Sequence, residues 1–267
     1  MLTTVQTHID ACDVTWPILP KNGQRLFVKA DYLSRYSTFA DTYEPHILVT
    51  TASDYSPSTF MTEVNIRNFL ENDNLIAWYA QNTITKHPKM KHIPIGLKDT
   101  PEVLAFCAKY GEDLRALPKK DEVYSNFTDD TNPKERKTFY AKNKSESFED
   151  YMRTMAGFKY VLCPMGNGID THRFWEAQVC GCIPIIRCPV NFLPTYAHVP
   201  YICLPGVCCA RLGAPNRTLH TESIFRINVP DGSSPISVPD TPQPLIGWKR
   251  KQAFSTFSVP GFDNGPT

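Results

Sequence analysis

The chain has no run of about 18 consecutive apolar residues, the length a helix needs to cross a bilayer, so no membrane span is expected. Its first residues, MLTTVQTHIDACDV, lack both the basic and the apolar segment of a secretory signal. There is no excess of charge of one sign either. With 28 basic and 27 acidic residues the net charge is +1, which gives no electrostatic case for a nucleic acid or another polyanion as partner. No C-x2-C pair occurs among the nine cysteines, so the usual zinc spacing is missing. Cys180, Cys182, Cys188, Cys203, Cys208 and Cys209 could still be gathered as a zinc cluster, but buried thiols are the better reading. Without a secretion signal the cysteines are read as reduced, in a cytoplasmic compartment. The N-x-S/T sequons at Asn126, Asn143 and Asn216 are then chance matches. No internal repeat is visible.

At 267 residues the chain has room for one large domain or two small ones. Its first half alternates strand and helix patterns. Arg25–Ala30, His46–Thr51, Leu75–Ala80 and His92–Leu97 read as strands, and Phe60–Leu70 holds apolar residues at helical spacing. Thr100 and Pro101 open a helix in which Val103, Phe106, Cys107 and Tyr110 share one face. Such alternation argues for α/β layers with a largely parallel sheet. The polar stretch 117–121 is a plausible hinge, and a second α/β unit begins at Glu122. Residues 129–145 are charged enough for a surface loop or solvated helix. Ser147 to Asp150 resembles a capping box ahead of a further helix. The expected division is a first lobe over 1–117, a second, small lobe over 118–205, and a tail over 206–267. That tail is rich in Pro and Ser, has no periodicity, and has the composition of disordered chain.

The segment FKYVLCPMGNGIDTHRFWEAQVCGCIPII, residues 158–186, carries the most chemistry. It reads as strand, glycine-bearing loop, helix, strand. Asp170 or Thr171 can cap the helix, capping being the first reading for Asp170, and Gly181 ends it. A helix N-terminus after a glycine loop offers free N–H groups and a positive dipole end to an anion. Gly166, Asn167 and Gly168 let the backbone approach such an anion. His172 and Arg173 stand where a cation opposes the dipole, a placement easier to understand if an anion binds between them. Glu176, one turn deeper, can accept from paired sugar hydroxyls. The combination suits a nucleoside diphosphate. The plainer alternatives are a simple β–α turn, an arginine paired with Asp170 or facing solvent, and a surface carboxylate in a salt bridge. A cysteine phosphatase loop is rejected, because it needs C-x5-R and Arg173 is ten residues after Cys163.

The stretch CPMGNGIDTHRFWEAQVCGCIPII resembles the donor-binding segment of the exostosin-like glycosyltransferases, especially their short members. ILVTTASDY (47–55), IAWYAQN (76–82) and HIPIGL (92–97) are similar to that family's N-terminal half, in the right order. The resemblance implies a two-lobed GT-B fold of Rossmann-like lobes. It implies inverting transfer of a sugar from a nucleoside-diphosphate sugar, with a UDP-sugar as the first choice, to a glycan hydroxyl, with the acceptor on the first lobe. Gly166–Gly168, His172 and Arg173 would then hold the diphosphate and Glu176 the ribose, with Asp170 in the same donor-binding set as a cap, a partner for the loop or a catalytic group. Arg136, after the first strand of the second lobe, is a further cation for the diphosphate. A base should project from a strand end of the first lobe: Asp54 is the first candidate and Asp31 the second. No D-x-D triplet is present, and no metal or other cofactor is expected. The tail departs from the family's pattern, in which further strand and helix complete the second lobe. The alternatives are a nucleotide-sugar or glycan-binding protein without turnover, and an inactive truncated member.

Overall fold

The computed structural model describes residues 3–142, 145–187, 196 and 199–204. The tail expected over 206–267, the sequons at Asn143 and Asn216, and Cys188, Cys208 and Cys209 lie outside the described residues.

The first lobe begins with a short helix, α1 (Val5–Asp10), capped by Thr4. Strands β1 (Val14–Thr15), β2 (Arg25–Lys29), β3 (His46–Thr51), β4 (Leu75–Ala80) and β5 (Met90–His92) lie side by side in chain order, all parallel. Helix α2 (Leu33–Ser37) links β2 to β3, and α3 (Pro57–Phe60) and α4 (Glu63–Leu70) link β3 to β4. The two-residue period of a strand sorts the core onto two faces. Leu26, Val28, Leu48, Trp78 and Ala80 pack on one side with Leu33 and Tyr36 of α2 and Ile66, Phe69 and Leu70 of α4. Val49, Tyr79 and Ile93 pack on the other. Coverage of both faces explains why β3 reads as a nearly continuous buried run.

Two expected elements change shape. The helix expected over Phe60–Leu70 is interrupted at Met61, because Thr62 is extended and caps α4 by accepting from the Asn65 N–H. Val64 is consequently exposed. The strand expected over His92–Leu97 sits earlier, at Met90–His92. Beyond it the chain leaves the sheet and pairs Leu97 with Thr4.

Next comes α5 (Pro101–Ala116), and then a second sheet of β6 (Lys120–Tyr124), β7 (Phe158–Leu162), β8 (Ile183–Ile186) and β9 (Ile202–Cys203), again parallel and in chain order. Its helices are α6 (Pro133–Arg136), α7 (Phe148–Ala156) and α8 (His172–Val179). Helix α5 precedes the hinge expected at 117–121, yet its buried face belongs to the second sheet. Val103, Phe106, Cys107 and Leu114 share a core with Met152, Met155, Val161, Phe174, Trp175 and Val179. The opposite face holds Phe127, Phe139, Tyr160, Leu162 and Ile185. The chain is thus mixed α/β with two parallel sheets, an arrangement consistent with two Rossmann-like lobes. Among the described residues no helix is long and apolar enough to cross a membrane.

Phe174 is fully buried, and its ring stacks on Tyr196 with centroids 3.9 Å apart. Phe174→Ala is expected to lower unfolding free energy by about 3–5 kcal/mol, the usual cost of emptying an aromatic core site. Urea denaturation measures this, and a loss below about 1 kcal/mol would remove Phe174 from the core.

Candidate functional site

The carboxyl ends of β3 and β4 meet the glycine loop that follows β7. At both strand ends the backbone takes the left-handed conformation on a non-glycine residue, with φ of 61° at Ala52 and 52° at Asn82. Each such residue costs about 1–3 kcal/mol and persists only where its surroundings impose it. At Asn82 the surroundings are visible. Its Nδ2 donates to the Asp54 carbonyl at 2.8 Å, and its Oδ1 accepts from the Asp170 N–H at 2.8 Å. One side chain therefore ties the two lobes. Gly168 passes so close to this clamp that a Cβ there would collide with the Asp54 carbonyl and the Asn82 amide. Glycine at 168 is required by close approach, independently of any ligand.

Two cavities open along this contact. The first, of about 150 Å³, is lined by Ser56, Thr59 and Asn82 of the first lobe and by Asn132 and residues 165–169 of the second. Gly166, Asn167 and Gly168 thus face a cavity together. The second, of about 290 Å³, is lined by Val5, Ala52, Ser53, Asp54, Gln81, Ile95 and His172. Asp54 stands at the cleft, where Asn167 Nδ2 donates to its Oδ2 at 3.4 Å. Asp31 is held elsewhere, 2.6 Å from Lys29 Nζ and accepting from Ser53 Oγ at 3.2 Å.

The cations are arranged in a way the sequence did not reveal. Residues 129–145 are not simply a solvated surface: Glu135 and Arg136 are buried. The Arg136 and Arg173 guanidiniums both lie against the ring of Phe127, at 5.7 and 5.5 Å from its centroid. Arg136 Nε donates to the Met165 carbonyl at 3.0 Å and its Nη1 to the Thr128 carbonyl at 2.9 Å. Its Nη2 lies 3.1 Å from the point a Gly166 Cβ would occupy. Arg173 Nη2 donates to the Asn126 carbonyl at 2.9 Å, while its buried Nε has no partner. Among the described residues neither arginine is in a salt bridge. Burial first, and the neighbouring Arg173 second, push the Arg136 pKa down; Glu135 opposes this. Two like charges are therefore held beside the glycine loop by carbonyls and an aromatic face.

Asp170 does not cap α8. Thr171 occupies the N-cap without a side-chain cap bond. The Asp170 carboxylate is buried and accepts from the Ile95 N–H at 2.7 Å, from Trp175 Nε1 at 2.9 Å and from Tyr196 OH at 2.9 Å. It links the lobes instead, because Ile95 is a neighbour it reaches only through the fold. His172 Nδ1 lies 2.8 Å from the Gly96 carbonyl, and its ring lines the second cavity, not the loop cavity. Glu176 is buried and accepts from Tyr151 OH at 3.0 Å. Burial pushes its pKa up, and Arg173 and Tyr151 pull it back. Neither Arg173 nor Glu176 lines either cavity. Asn82, Gln81, Asn132 and Tyr151 carry structural or lining roles that sequence reading missed. For Asn82 a signal existed, since asparagine after a strand tolerates the left-handed region.

The six cysteines among the described residues are free thiols. No group of three or more His, Cys, Asp or Glu among the described residues has metal-binding geometry.

Burial raises the Asp170 pKa to about 6, against the pull of its three bonds. An acid whose folded pKa exceeds its unfolded value binds more protons in the native state. Its contribution to stability is therefore full below the unfolded value of 3.8 and is lost as pH rises from there through about 6. Urea midpoints followed across that window should show Asp170→Asn lacking part of the wild-type decline. An identical slope in both proteins would contradict the buried ionisation. No family model and no curated protein sequence matches this chain.

Proposed function

We propose that the protein is a glycosyltransferase of the exostosin-like kind, moving a sugar from a nucleoside-diphosphate sugar, UDP as the first choice, to a glycan hydroxyl. The observation that carries the reading is the pair of buried guanidiniums, Arg136 and Arg173, on the ring of Phe127, with Arg136 against the glycine-bearing loop before α8. Two arginines in no salt bridge among the described residues, next to a loop whose backbone can come close, suit the two charges of a diphosphate. The same groups would stabilise the departing diphosphate as its charge develops. The first cavity, between the lobes, is the donor site in this reading. Gly166, Asn167 and Gly168 shape it, Arg136 and Arg173 supply charge without lining it, and Glu176, also outside the lining, engages the ribose only after giving up its bond to Tyr151. Asp54, across the cleft from the loop, is the carboxylate that engages the acceptor hydroxyl. Asp31 is set aside because Lys29 already neutralises it.

This assignment does not call on a metal, since the arginines and the helix N-terminus supply the positive field. A second reading, nucleotide-sugar binding without turnover, rests on Glu176 being closed off by Tyr151.

Calorimetric titration with UDP, and with GDP for comparison, tests the donor site. Saturable UDP binding is expected, and Arg173→Ala should weaken it about 10- to 100-fold, the worth of one charge-assisted contact. A folded protein that binds neither nucleotide would end the glycosyltransferase reading. Binding without any release of UDP from UDP-sugars would favour the second.

A further inference from the structure

The 290 Å³ cavity differs chemically from the loop cavity, because its polar lining is rich in hydrogen-bond acceptors. Gln81 is almost fully buried, and its Oε1 has no partner. The amide cannot be turned to relieve this, since Nε2 faces the Pro94 carbonyl at 3.5 Å and a carbonyl only accepts. Asp54 contributes a carboxylate. His172 contributes a ring nitrogen whose state is fixed by its partner. Nδ1 lies 2.8 Å from the Gly96 carbonyl, so Nδ1 carries the proton and donates. In the neutral ring the lone pair is then on Nε2. Apolar walls from Val5, Ala52 and Ile95 complete the lining. Acceptors on apolar walls suit a ligand that brings hydroxyl donors on a carbon frame, which is the face of a saccharide.

Resting on the glycosyltransferase reading, we infer that this cavity binds the acceptor sugar and that His172, held in its Nδ1–H tautomer by Gly96, takes the proton from the attacking hydroxyl. The electron balance is simple. The acceptor O–H bond breaks and its proton goes to His172 Nε2. The oxygen forms a bond to the anomeric carbon of the donor. The bond from that carbon to the diphosphate breaks, and its electron pair leaves on the diphosphate oxygen, beside the arginines. Asp54 then orients the hydroxyl and faces the imidazolium that forms. His172 is the first residue of α8 and Arg173 the second. One helix start thereby serves both halves of the reaction: the acceptor cavity through His172 and the leaving group through Arg173.

The idea separates from an Asp54 base by substitution, because each variant removes one candidate and leaves the other in place. The charged groups facing His172 are Asp54 across the cavity and Asp170 and Glu176 on its own segment; Lys98 acts on Glu176. Asp170, pushed up to about 6 by burial, can add an acid limb of its own. The readout is therefore a comparison in which Asp170 stays intact.

Two measurements test the inference. Imidazole nitrogen–proton correlation spectra of the whole protein, at alkaline pH and without ligand, should show His172 protonated on Nδ1; protonation on Nε2 would overturn the proposal. UDP release is then followed from UDP-glucose, UDP-galactose and their N-acetyl and uronic analogues, with mixed oligosaccharides as acceptors. His172→Gln should lower kcat about 100-fold or more, keep UDP affinity within twofold, and abolish the acid limb of the kcat/KM profile. Asp54→Asn should raise the acceptor KM and keep that limb. Retention of the rate or of the limb in His172→Gln overturns the proposal, and so does loss of the limb in Asp54→Asn alone. Failure of the wild type to bind UDP instead removes the donor reading on which it rests.

Discussion

The contact between Gly168 and the Asn82–Asp54 clamp is the constraint from which the rest of this structure follows. A side chain at 168 would strike the Asp54 carbonyl and the Asn82 amide, so the loop after β7 can close on the first lobe only as glycine. Asn82 meets it from the other side in a left-handed conformation, giving one bond to each lobe. Asp170, two residues beyond Gly168, adds the bond to the Ile95 N–H. Both cavities are lined by residues of this clamp or their immediate neighbours. The strain at Ala52 and Asn82 is therefore located where two sheets present their carboxyl edges to each other, the position at which open α/β sheets hold ligands.

Electrostatics divides that edge. On the loop side stand two guanidiniums whose partners are backbone carbonyls and the ring of Phe127. Carbonyls satisfy N–H groups but do not neutralise charge; Glu135 beside Arg136 and Glu176 beside Arg173 offset part of it. On the other side the groups are acceptors: Gln81 Oε1, which has no partner, and the Asp54 carboxylate. A ligand matched to both sides carries negative charge at one end and hydroxyl donors at the other. That complementarity, more than any single residue, makes sugar transfer from a nucleoside diphosphate a better match than simple phosphate binding.

Much of this was legible in the sequence where one local rule dominated. His46–Thr51 and Leu75–Ala80 were bounded correctly because strands covered on both faces are continuous apolar runs. Ser147 capped α7 as its spacing suggested, and Gly181, with φ of 67°, ended α8. Legibility failed where two elements distant in sequence decided the outcome. Asp170 had the spacing of a cap, but Ile95, Trp175 and Tyr196 claimed its carboxylate. Arg136 sat in a charged stretch that looked solvated, yet Phe127 and the Met165 carbonyl drew it inward. The apolar face of α5 was visible, but periodicity says only that a face is buried and not which sheet buries it.

The allegiance of α5 changes where the lobes are joined. Because its core face packs with α7 and α8, the chain has already crossed to the second lobe before Pro101. The crossing is the segment 93–100, not the polar stretch 117–121, which leads directly into β6. Rotation of one lobe on the other must be absorbed in that crossing. Yet Asp170 grips it at Ile95 and His172 grips it at Gly96. The two residues that flank the helix start therefore also hold the joint. Movement at the joint would change the tilt of the His172 ring and the lie of the loop beside Arg136 and Arg173 together. Lobe geometry and site geometry are one mechanical variable here, so a substitution at Asp170 acts on the site without touching a ligand.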